Sequence, residues 1–188
     1  MAALIILLLA TAQPSSPTTS SIVEGGLFAA TPVALGQGQL LGPELSLRFA
    51  GPLAFGVRAR LGFAAENDLD WHVSHTEGHL SALLAWVQPL GRAEVSLALS
   101  TGGILLHEDR VRHQAARTAG SNLPVESSAL TAGVQTSIEG AVRLFFYDRY
   151  AVSVNGGPSI RWVADAQNHG ERVGVAIGLA LAIALEDR

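Results

Sequence analysis

Residues 173–185 read Val-Gly-Val-Ala-Ile-Gly-Leu-Ala-Leu-Ala-Ile-Ala-Leu. The odd positions, Val173, Val175, Ile177, Leu179, Leu181, Ile183 and Leu185, are all large and apolar. The even positions, Gly174, Ala176, Gly178, Ala180, Ala182 and Ala184, are all glycine or alanine. A helix cannot sort large from small side chains with period 2, so this is a strand with a different environment on each face. It is longer than the five or six residues typical of a globular sheet. Its small face carries no polar group, which suits a narrow interior better than water.

The same alternation recurs upstream. Leu53, Phe55, Val57, Ala59, Leu61 and Phe63 alternate with Ala54, Gly56, Arg58, Arg60 and Gly62. Val95, Leu97 and Leu99 alternate with Glu94, Ser96, Ala98 and Ser100. From Leu130 to Phe146 the even positions are mostly apolar, while the odd ones include Gln135, Ser137, Glu139 and Arg143. Eight such segments are expected, at about 22–33, 40–50, 52–65, 76–88, 92–106, 126–147, 150–164 and 171–186. Tight turns fall at Phe49–Pro52, Gln88–Arg92 and Tyr147–Tyr150. Longer polar links, Ala34–Gln39, Ala65–His75, His107–Val125 and Asp165–Gly170, alternate strictly with them. In an up-and-down meander, all long loops then lie at one end and all tight turns at the other.

The composition narrows the class. The chain has 188 residues, 48% hydrophobic and only 15% charged, with no cysteine; soluble domains carry about 25% charged residues. Met1–Ala12 is a continuous apolar run, and neither it nor Val173–Leu185 is long enough for a membrane helix, so a bundle of such helices, each needing about 20 apolar residues, is excluded. A disulfide scaffold is excluded by the absence of cysteine. The net charge is −4 and all 12 basic residues are arginine; no basic run points to nucleic acid. Met1–Ala12 ends in Ala10-Thr11-Ala12 and reads as a signal peptide cleaved near Ala12, although no basic residue precedes the apolar run. Residues 13–21, rich in Pro, Ser and Thr, read as a flexible lead-in.

Placing the large apolar faces outward puts Glu24, Glu44, Arg48, Arg58, Arg60, Glu94, Glu139, Arg143 and Arg161 in the lumen. Buried charges of both signs must pair; Glu94 with Arg143 and Glu24 with Arg48 are the pairs expected. Phe49, Phe55, Trp86, Phe146, Tyr147 and Tyr150 flank the tight turns, and Phe63 and Trp162 lie near the loop end. Two aromatic girdles of this kind mark membrane interfaces. The domain expected over 22–188 is therefore an all-β, eight-stranded antiparallel up-and-down transmembrane β-barrel.

In strand count, turn and loop alternation and an Arg/Glu lumen, residues 22–188 resemble the small OmpA/OmpX-like outer-membrane barrels of Gram-negative bacteria. The resemblance rests on architecture, with no sequence motif. It implies export, insertion by the barrel-assembly machinery, contact with outer-membrane lipid, loops available to an extracellular ligand, and a monomer without cofactor. Two features depart from the family's pattern. The last strand ends in Leu185-Glu186-Asp187-Arg188 rather than an aromatic residue, and Pro158 falls inside the seventh strand, where a bulge is expected.

A charged, mostly plugged lumen is the expectation, because eight-stranded interiors are just wide enough for side chains. The expected role is structural or surface-interacting, without enzymatic activity. The alternatives are a small ion channel gated by the Glu–Arg pairs, a lipid-modifying enzyme, and a soluble lipocalin-like binding barrel. All six histidines, His72, His75, His79, His107, His113 and His169, are expected in the loop half. His75, Glu77 and His79 share one face of an extended segment, a weak zinc or copper candidate without a recognised spacing on an expected mobile loop. His72, Ser74 and Glu77 are the one close cluster with the residue types of a hydrolytic triad.

Overall fold

The computed structural model describes residues 21–32, 39–49, 51–67, 71–112, 126–163 and 170–185. The expected signal peptide and most of the lead-in, the C-terminal residues 186–188, and His113 and His169 lie outside the described residues. The eight strands are β1 (Ile22–Pro32), β2 (Leu40–Arg48), β3 (Leu53–Asn67), β4 (Trp71–Leu90), β5 (Ala93–Arg112), β6 (Glu126–Phe145), β7 (Tyr150–Val163) and β8 (Gly170–Ala184). Each pairs antiparallel with the next, and β8 closes on β1. Closure satisfies both edges of every strand it reaches and leaves the side-chain faces to decide what is inside.

The register fixes the dimensions. Stepping across the ladders from Ile22 through Arg48, Gly56, Leu83, Ser100, Ser137, Ser159 and Gly174 returns to β1 at Pro32, ten residues from the start. With roughly 3.3 Å per residue and 4.8 Å between strands, this stagger tilts the strands by about 40° and makes a backbone cylinder about 16 Å across. An interior of that bore is filled by side chains.

The faces segregate as the alternation requires. On β8, Leu179 is 59% exposed on the outer surface while Ala182 is 1% exposed in the lumen. Leu53, Phe55, Val57, Leu61 and Phe63 face outward on β3, and Ile138, Val142 and Leu144 do so on β6. The aromatic residues beside the tight turns are exposed, and Phe146, Tyr147 and Tyr150 form one cluster with ring centroids 5.4–6.5 Å apart. At about 40° tilt, Phe55 to Phe63 on β3 rises about 20 Å and Tyr150 to Trp162 on β7 about 30 Å, which brackets the ~25 Å apolar band of outer-membrane barrels. The lumen has an apolar floor at the turn end, Ile22 with Phe145, Ala151, Ala182 and Ala184. A second apolar cluster, Phe28, Ala30, Leu40 and Ala176, sits toward the loop end of the β8–β1–β2 wall.

Three local expectations are corrected. Strand β4 begins at Trp71 and β5 ends at Arg112, well beyond the expected 76 and 106. The ladder Trp71↔Arg112 through His79↔Ile104 is continuous, so His72, His75, His79 and His107 are strand residues. The extension was hidden because its residues are mostly polar on both faces, and Trp71, Val73 and Val111 are too few to mark an apolar alternation. Pro158 brings no bulge: Ser137↔Ser159 and Gly140↔Gly156 flank it with equal intervals on both strands. The adjoining Gly157 lets β6 pass close, since a Cβ there would lie 2.0 Å from the Ile138 carbonyl oxygen. Gly51 and Gly91, at φ 138° and 65°, make the β2–β3 and β4–β5 turns in backbone regions that other residues rarely adopt.

Candidate functional site

The inward parity of every strand places its polar residues in one column. Glu24, Glu44, Arg48, Arg58, Arg60, Glu94, Glu139, Arg143 and Arg161 are all buried, with Glu94 fully so. They sort into layers along the axis.

In the layer nearest the turns, Arg143 is the hub. Its Nε and Nη2 donate to the two oxygens of Glu24 at 2.6 and 2.8 Å, and its Nη1 donates to Glu94 Oε1 at 2.9 Å. Ser46 Oγ donates to Glu24 Oε2 at 3.1 Å. Arg48 Nη1 lies 2.7 Å from the same Glu94 oxygen. The expected Glu94–Arg143 pair is present, but Glu24 pairs with Arg143 and Arg48 with Glu94. The reason is register: the ladder partner of Glu24 is Ser46, and Arg48 stands opposite Ile22. Strand parity alone cannot say which arginine reaches across the lumen.

In the middle layer Glu139 accepts from Arg58, from Arg60 Nη1 and Nη2 at 3.2 and 3.1 Å, and from Ser137 Oγ at 2.7 Å. Arg60 Nε donates to Glu44 Oε2 at 2.8 Å, and Asn155 Nδ2 donates to Glu44 Oε1 at 2.8 Å. The Arg60 guanidinium carbon is 5.2 Å from the centroid of the Phe28 ring, a cation–π distance that ties the charged layer to the apolar cluster above it. Gly178 leaves room for the Glu44–Asn155 pair, since a Cβ there would lie 2.5 Å from Asn155 Oδ1 and 2.7 Å from Glu44 Oε1 and would push both side chains aside.

Toward the loop end, Arg161 Nη1 contacts both oxygens of Glu77, at 3.2 and 2.9 Å, and His79 Nε2 is 2.8 Å from Glu77 Oε2. His75 Nδ1 is 3.2 Å from Glu108 Oε2. His75, Glu77 and His79 are thus buried on one inward face of β4; Glu77 and His79 engage each other, whereas His75 turns to Glu108. Among the described residues no group of three His, Asp or Glu side chains converges as a metal site would. The triad candidates do not meet. Glu77 is buried in the lumen, whereas His72 and Ser74 lie on the opposite face of the same strand, and His72 Nδ1 is 2.7 Å from Asn67 Oδ1.

Several participants escaped the sequence reading. Asn155 and Ser46 share the inward parity of their strands, and that parity was the available signal. Glu108 was assigned to a loop. Two small cavities lie in the lumen among the described residues. One, about 10 Å³, is lined by Arg60, His79, Ser81, Ser100 and Gln135 among others; the other is about 20 Å³ and lies below the Glu139 layer. A single water needs about 10–15 Å³ on the same measure.

A closed eight-stranded up-and-down barrel with an apolar, aromatic-edged exterior and a paired-charge interior is the fold of the small OmpA/OmpX-like outer-membrane barrels. Among solved structures, the chain is similar to Neisserial surface protein A, at 10% identity and a TM-score of 0.58, covering 90% of this chain and 100% of that one. It is also similar to Ail, the attachment invasion locus protein of Yersinia pestis, at 10% identity and a TM-score of 0.55, covering 89% and 99%. Ail in complex with the heparin analogue sucrose octasulfate matches at 12% identity and a TM-score of 0.52, covering 88% and 97%. No family model matches the sequence, and no curated protein sequence does. What is shared is the fold.

Proposed function

We propose that this chain is an integral outer-membrane barrel of a Gram-negative bacterium. Its role is structural or surface-interacting, without enzymatic activity, and its loops face outside. The observation that carries the reading is the inversion of polarity: large apolar side chains cover the exterior while arginine–glutamate pairs fill the lumen. An exterior of that kind is a poor solvent-facing surface but matches a bilayer. The lipocalin-like alternative requires the opposite assignment of faces. The fold neighbours are a surface protein and an attachment protein, which supports a surface role for the polar extensions of β4, β5 and β6.

The test is fractionation of the expressed protein, then gel mobility with and without boiling. Recovery in the outer membrane with a heat-dependent mobility shift is the expected result. Recovery in the detergent-free soluble fraction would sink the proposal and redirect the search to an apolar ligand.

A further inference from the structure

The lower cavity lies where the two lower charged layers meet, and its wall includes Arg48 and Arg58. Both are more than nine-tenths buried. Arg48 Nε and Nη2 and Arg58 Nε have no hydrogen-bond acceptor among the described residues. Arg48 Nη1, although 2.7 Å from Glu94 Oε1, does not meet it with hydrogen-bond geometry. Acceptors stand on the same wall, in Asn155, Ser46 and Ser96. Asn155 Nδ2 donates to Glu44 Oε1 at 2.8 Å, which fixes the orientation of the amide and leaves its Oδ1 without a donor among the described residues. Ser46 Oγ gives its proton to Glu24, and Ser96 Oγ receives Arg143 Nη1 at 3.1 Å. Each hydroxyl oxygen therefore keeps a lone pair for a further donor.

Buried N–H groups of a guanidinium are rarely left without an acceptor. Here unmet donors and unmet acceptors face one cavity, so the ligand must both accept and donate. A water does both, makes about three hydrogen bonds when buried, and needs about 10–15 Å³. The cavity, at about 20 Å³, has room for one. A neutral ligand also leaves the balance of buried arginine and glutamate in the two layers undisturbed. We infer that one ordered water is bound in this cavity. It accepts from Arg48 and Arg58 and donates to Asn155 Oδ1 and to a serine oxygen. The water supplies the directed bonds that the Arg48–Glu94 ion pair lacks, and it bridges Arg48 of the lower layer to Arg58 and Asn155 of the middle one. Its place depends on the lumen alone and not on what surrounds the barrel.

The test uses the full chain folded in detergent, crystallised with sodium bromide and measured at high resolution and at the bromine edge. One density peak at hydrogen-bond distance from Arg48, Arg58 and Asn155, without anomalous signal, is expected. An empty cavity overturns the inference, and so does an anomalous peak there, which means bromide. In solution, cross-relaxation from water to the Nε–H protons of Arg48 and Arg58 is recorded by NMR in the laboratory and rotating frames. Opposite signs in the two frames are expected, the mark of a bound water rather than of proton exchange. Ala98 lines the cavity, and the Ala98→Val variant fills it while keeping every polar group. That variant should lose both the density peak and the cross-relaxation. The same signals in Ala98→Val as in the parent chain would overturn the inference.

Discussion

At the scale of single residues the structure depends on hubs rather than on isolated pairs. Arg143 serves two glutamates and Glu139 serves two arginines, so removing Arg143 leaves Glu24 without its arginine and Glu94 with Arg48 alone. Breaking a buried pair from one side costs about 3–5 kcal/mol. Arg143→Met is accordingly expected to lower unfolding stability by at least that amount, measured by urea titration of the barrel in lipid. Arg143→Lys should recover only part of it, because an ammonium cannot reproduce the two-pronged contact to Glu24. A loss below about 1 kcal/mol for Arg143→Met would show that the pairs do not hold the lumen together. The identities of the lumen charges were legible in the sequence from strand parity alone. Their partners were not, since a pairing such as Glu24 with Arg143 depends on stagger around the cylinder and on the reach of a long side chain.

At the scale of the element, β8 shows why alternation is so informative. Its odd residues meet the exterior and its even residues a narrow interior, so the two faces tolerate opposite changes. Leu179→Arg, on the lipid side, is expected to cost about 2–4 kcal/mol if the position lies near the bilayer midplane. Ala182→Leu, on the lumen side, is expected to cost about 1–3 kcal/mol through overpacking against Ile22 and Phe145. Equilibrium unfolding in lipid vesicles measures both; a neutral Leu179→Arg would place that face in water. The alternation was readable wherever one face is apolar, which is why β8 and most of β3 were located closely. It failed at the start of β4 and the end of β5, where both faces are mostly polar and Trp71–Glu77 resembles a loop. Pro158 misled for a related reason. Its missing donor falls beside Gly157, where β6 passes close enough that the register continues without an extra residue.

At the scale of the molecule, a stagger of ten residues in eight strands leaves a bore that side chains fill. The layers at Arg143, Glu139 and Glu77 follow one another along the axis, with an apolar cluster of Ile22 and Phe145 at the turn end, and a plugged lumen is the reading proposed for them. In planar bilayers the protein is expected to show no sustained conductance at moderate voltage. A steady open level that changes in Glu139→Gln would favour the gated channel instead. The topology was largely legible because long and short links alternate, which fixes a meander. The height of the β4–β6 wall was not legible, and it bears directly on what the loop end presents to the outside.

The central claim is the direction of the faces, and the absence of cysteine makes it directly measurable. Single cysteines placed in turn from Ala176 to Ala184, spin-labelled in the lipid-embedded protein, report access to oxygen dissolved in lipid and to a water-soluble nickel reagent. High oxygen access at positions 177, 179, 181 and 183, with low access to both reagents at 176, 178, 180 and 182, is the predicted period-2 pattern. Nickel access at the odd positions would contradict the account, because the large apolar side chains would then not face a membrane.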